Sequence, residues 1–83
     1  MNAQKDVGAK LAAFFAAPGA LVVGDCYAKG AALARITSAA PGDWCVDMAV
    51  LDPGAAGGLA RALRKDGFLV NRYGQVSLRV AVA

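Results

Sequence analysis

The most regular alternation in the chain runs from Trp44 to Leu51. Trp44, Val46, Met48 and Val50 point one way, and Cys45, Asp47, Ala49 and Leu51 point the other. A period of two predicts a β-strand with one strongly apolar face, and it makes Trp44 a core residue. Nearer the start the period changes. Val7, Leu11, Phe14 and Phe15 fall on one face at helical spacing, which predicts a helix from Asn2 to Ala17 with Asn2 as its cap and Pro18-Gly19 as its stop. A second helix begins at Asp52-Pro53. The aspartate can accept from the first free amides, and proline lacks only an N–H that the first turn leaves unpaired. That helix is expected over 53–66, with Gly67 as its left-handed stop. Ala55, Ala56, Leu59, Ala62 and Leu63 share its inner face, opposite Arg61, Arg64 and Lys65.

The remaining segments carry weaker patterns. Ala20 to Val23 is a short apolar run, expected as a buried strand. Residues 25–40 are expected as a helix capped by Asp25 and ended by Pro41-Gly42, although Gly30 costs a helix about 1 kcal/mol and a hairpin turning at Lys29-Gly30 is the alternative. After Gly67 a β-hairpin is expected. A three-residue loop, Tyr73-Gly74-Gln75, pairs Val70 with Leu78 and Phe68 with Val80, and gathers Phe68, Val70, Val76, Leu78, Val80 and Val82 on one face. The whole is expected as one small α+β domain over 1–83: N-terminal helix, central strand, capped helix 53–66 and C-terminal antiparallel hairpin.

Composition changes this picture in three places. At 83 residues the core is thin, and alanine inflates the apolar fraction while adding little buried area. The net charge of +3 is uneven. Residues 59–83 carry Arg61, Arg64, Lys65, Arg72 and Arg79 against Asp66, a balance of +4, whereas Lys5, Lys10, Lys29 and Arg35 against Asp6, Asp25, Asp43, Asp47 and Asp52 leave −1 in residues 1–58. Such asymmetry points to an anionic partner or to an ordinary solvated face. The uncharged run Leu11 to Gly24 is too short for a membrane span and is broken by Pro18-Gly19. Its "LVVGDC" imitates a lipoprotein signal, but Asp25 stands where a small residue is needed, so the run is expected as core. Cys26 and Cys45 are expected as buried thiols in a cytoplasmic protein rather than as a disulfide.

The chain has no histidine and no glutamate, so no Ser-His or Cys-His pair and no zinc site is expected. "LDPGAAGGLAR" places glycines at a helix start but lacks the phosphate-loop and dinucleotide-loop spacings. The expectation is therefore a protein that is not an enzyme and holds no cofactor. "LARALRKDGFLVNRYGQVSLRV", a basic helix followed by a hairpin with arginines, resembles the C-terminal half of a winged-helix domain over residues 53–82. The resemblance implies a helix-turn-helix before the hairpin, whereas the segment before Asp52 has the pattern of a strand. Two function classes remain. One is a small binding protein acting through protein–protein contacts, an accessory or inhibitor of the kind encoded by mobile elements, able to dimerise through an exposed edge such as Val76–Val82. The other is a nucleic-acid module of winged-helix type. Both would use Arg61, Arg64, Lys65, Arg72, Tyr73 and Arg79. Neither involves a membrane.

Overall fold

The computed structural model describes residues 4–39 and 45–82. The chain is an α+β protein with the order α1 (Gln4–Phe14), β1 (Cys26–Lys29), β2 (Ala32–Ala39), β3 (Val46–Val50), α2 (Pro53–Lys65), β4 (Phe68–Tyr73) and β5 (Ser77–Val82). The strands make one antiparallel sheet in the order β1-β2-β3-β5-β4. Both helices lie on one face of it. Val7, Leu11, Phe14 and Phe15 from α1, with Ala56, Leu59, Ala60 and Leu63 from α2, meet Ile36, Met48, Val50, Leu78 and Val80 in a single buried cluster. No helix among the described residues is long and apolar enough to cross a membrane.

The elements with clear patterns form where expected. Asp52 caps α2, its Oδ1 accepting from the Gly54 amide at 3.0 Å, and Pro53 opens the helix. Gly67 follows α2 with φ +97°, the left-handed geometry that lets a chain leave a helix. The alternation of β3 puts Val46, Met48 and Val50 into the core. Trp44 and the proposed Asn2 cap lie outside the described residues.

Four expectations are corrected. Residues 25–40 are not a helix but the hairpin β1–β2. Gly30, at φ +60°, takes the first position of its two-residue turn, where a strand twist demands a positive φ. Ala20 to Val23 is not a buried strand. Val22 and Val23 are exposed, and the segment turns into β1, its Val22 amide donating to the Tyr27 hydroxyl at 2.8 Å and its Val22 carbonyl accepting from Asp25. α1 stops at Phe14 rather than Ala17. Ala16 adopts φ +53°, its amide bonds to the Ala13 carbonyl, and the Ala17 amide bonds back to Ala12. The C-terminal hairpin is shifted by one pair: Val70 faces Val80, Phe68 faces Val82, and the three-residue loop is Gly74-Gln75-Val76. The shift keeps Phe68, Val70, Leu78 and Val80 on the core face, so the burial pattern tolerates either pairing.

Two consequences follow for the function classes. Residues 46–50 are strand, so no helix-turn-helix precedes the hairpin, and the hairpin is two strands of a five-stranded sheet rather than a wing. β5 is held between β3 and β4, so the strand expected to offer an exposed edge offers none; the edges are β1 and β4.

Candidate functional site

The six residues expected to form one basic surface are divided by the sheet. Arg61 and Lys65 project from α2 into solvent. Arg64, beside them in sequence, turns to the edge of the sheet, where its Nη2 donates to the Val70 carbonyl of β4 at 3.0 Å. Arg72 stands opposite Leu78 on the helix side; its Nη2 donates to the Gln75 carbonyl and its Nη1 lies against Gly57 of α2. Tyr73 and Arg79 are on the other face, with the Arg79 guanidinium 5.7 Å from the centre of the Tyr73 ring. Side-chain alternation causes this division: Arg72 and Tyr73 are neighbours in one strand and must point to opposite sides.

No helix among the described residues covers that other face. Asp47 and Arg79 sit in its middle on the adjacent strands β3 and β5. Arg79 Nε reaches Asp47 Oδ1 at 2.6 Å and Nη2 reaches Oδ2 at 2.8 Å, a two-pronged pair. A bulge in β2 helps to hold it. The register slips between Ile36 and Ser38, so Ser38 stands opposite Asp47 instead of one residue further on. Its hydroxyl then donates to Asp47 Oδ2, while the Thr37 hydroxyl donates to the Asp47 carbonyl, each at 2.8 Å. These bonds act on the carboxyl group. The hydrogen bond from Arg79 lowers the Asp47 pKa most, burial pulls the other way, and the Ser38 bond and the Arg79 charge add to the lowering. The same hydrogen bond raises Arg79 above its already high value.

The same face leaves large apolar side chains in water: Leu69, 55% exposed, and Tyr73, 54%, on either side of Asn71 on β4, and Leu33, 41%, and Leu51, 51%, toward one end of β2 and β3. Arg35 lies on the same face, level with Ala49. Leu69 was visible in the sequence as an outward position of its strand. Leu33 and Arg35 were hidden by assigning their segment to a helix.

The helix side has a different chemistry. A cleft of about 570 Å³ between the ends of α1 and α2 is lined by Ala13, Phe14, Lys29, Ala62, Lys65 and Asp66. Lys29 reaches into it from β1, its Nζ donating to the Phe14 carbonyl at 3.0 Å and lying 4.5 Å from the centre of the Phe14 ring. Lys10, one turn before Phe14, holds its Nζ 5.4 Å from the centre of the Phe68 ring. Lys29 comes from the acidic half of the sequence, so only the folded chain brings it to the cleft it shares with Lys65. A second cavity, about 560 Å³ beside α1, is lined among the described residues by glycine, alanine, valine, leucine and isoleucine, with none of their side chains able to donate, accept or titrate.

Cys26 and Cys45 are not buried as expected: Cys26 is exposed and Cys45 half-buried, and no disulfide joins them. Cys26 is level with Arg35 and Ala49, two strands from β3, and Cys45 is four residues below Ala49. Strand spacing and rise put them about 16 Å apart, far beyond disulfide reach. No family model, no curated protein and no solved structure matches this chain.

Proposed function

We propose that this chain is a small non-catalytic protein-binding module, and that its contact surface is the uncovered face of the sheet. The observation that carries this reading is the set of Leu33, Leu51, Leu69 and Tyr73 exposed on the same face as the Asp47–Arg79 pair. A protein interface draws on aromatic and aliphatic anchors with polar groups that fix orientation, and this face has both. The partner is a different protein with an aliphatic patch and a carboxylate. Among the described residues Arg35 and Arg79 against Asp47 give the face one net positive charge, so a second copy would meet like with like, whereas a carboxylate would meet Arg35. What supports a reducing, cytoplasmic setting is the pair of cysteines held far apart.

A photo-crosslinking amino acid placed at Leu69, and separately at Arg61 on the opposite side, tests the reading in lysate of the source cell. The expected result is one protein adduct from position 69, absent from position 61 and lost when Tyr73→Ala is added. Identical adducts from both positions, or an adduct at twice the mass of the chain, would overturn it.

A further inference from the structure

We propose that the helix layer is a second, independent binding surface, for the phosphate backbone of double-stranded nucleic acid, with Lys10, Lys29, Arg61 and Lys65 as its contacts. The four cations come from three elements, α1, β1 and α2: Lys29 and Lys65 line the cleft between the two helix ends together with Asp66, Lys10 stands one turn before Phe14 on α1, and Arg61 one turn before Lys65 on α2. Among the described residues none of them lies within salt-bridge distance of a carboxylate; the one ion pair there is Asp47–Arg79, on the other face. Helix-end electrostatics accounts for only part of the cluster. Lys65 is in the last turn of α2, and Lys29 binds the last carbonyl of α1. Lys10 and Arg61 lie before the last turns of their helices, outside the reach of that effect.

Two of the cations are held in place rather than swinging free. Lys10 and Lys29 rest over the rings of Phe68 and Phe14, both buried in the core. Lys29 spends one N–H on the Phe14 carbonyl and keeps two for a ligand.

The side chains absent from this surface identify the partner. The exposed large hydrophobics of the described residues lie on the open sheet face or in the loop after α1, so the helix layer lacks the apolar centre that a protein partner would need. Among the described residues Phe14, Phe15 and Phe68 are buried, Tyr27 is packed against Phe15 with its hydroxyl held by the Val22 amide, and the exposed Tyr73 is on the other side, which leaves no fully exposed ring here on which an unpaired base could stack. Charge without anchors or stacking platforms is the chemistry of backbone binding, which is blind to sequence.

Fluorescence anisotropy of the purified chain with labelled duplex DNA, duplex RNA and a single strand of the same sequence provides the test. Four phosphate contacts on duplex DNA give a slope of log K against log salt of about −3.6, or roughly 150-fold weaker binding between about 50 and 200 mM salt. Arg61→Gln with Lys65→Gln removes two contacts that have no other role in the fold, so the slope falls to about −1.8 and the loss over the same range to about 12-fold. A melting curve that matches the parent confirms that the double variant is folded. Salt-dependent binding of either duplex with that change of slope supports the proposal. An unchanged slope, single-strand binding as tight as duplex binding, or tighter binding to polyglutamate or to phosphatidylserine vesicles would overturn it.

Discussion

Asp47 binds together three strands. Its carboxylate accepts from Arg79 of β5 and Ser38 of β2, and its carbonyl accepts from Thr37. Because the charged form of the carboxyl group collects these bonds, its folded pKa lies below the ordinary value of 3.8. The sign for stability follows directly. The contribution is fully present above pH 3.8, where the unfolded chain also carries the charge, and it is lost as pH falls through the lowered folded value. Asp47→Asn removes this dependence. Urea midpoints measured from neutral pH to about pH 2 should therefore show a gap between parent and variant that narrows in the acid range. A constant gap would mean that Asp47 holds the strands by shape alone. Arg79, taken from the sequence as an outward basic residue, is outward as expected, but it is partnered. That partner was not legible, because nothing in the spacing of Asp47 and Arg79 places β5 beside β3.

Among the elements, the legible ones had redundant signals. α2 carried a cap, a proline, an amphipathic stripe and a glycine stop, and β3 a clean alternation. The β1–β2 hairpin was misread because its inward positions are Ala32, Ala34 and Ile36, while the larger Leu33 faces out. Ala32 and Ala34 are buried beneath α2, and Ala32 lines with Ala55, Gly58 and Leu59 of that helix a cavity of about 200 Å³. A small residue buried under a helix leaves no hydrophobic pattern for a sequence to display. The end of α1 was missed for a related reason: its left-handed stop is Ala16, where glycine is the usual signal. An L-residue in that conformation is strained by roughly 1–2 kcal/mol. Ala16→Gly should relieve this and, after the added freedom of glycine in the unfolded chain is subtracted, raise stability by about 0.5–1 kcal/mol. Urea unfolding followed by circular dichroism measures it, and a lower midpoint would contradict the stop assigned at Ala16. The equivalent change at Gly67, from glycine to alanine, should act in the opposite direction.

For the whole molecule, the helices divide two faces of unlike energetics. The core face holds the fold, and the open face leaves large apolar side chains in water. Leu63 and Leu69 are the same residue type six positions apart, one fully buried and the other 55% exposed. Leu63→Ala should cost about 2–5 kcal/mol. A chain of 83 residues has a total stability on the order of 4–12 kcal/mol, so this is a large share of it. Leu69→Ser should change stability by no more than about 0.5 kcal/mol, because the side chain already stands in water. Denaturant midpoints of the two variants across a range of protein concentrations make the comparison decisive. If Leu69→Ser is as damaging as Leu63→Ala, and the parent midpoint rises with concentration, the open face is buried against a second copy in the free protein. A neutral, concentration-independent Leu69→Ser shows that face uncovered in the free protein. The proposed contact surface can then vary without disturbing the core behind it, since every strand turns one set of side chains to each side of the sheet.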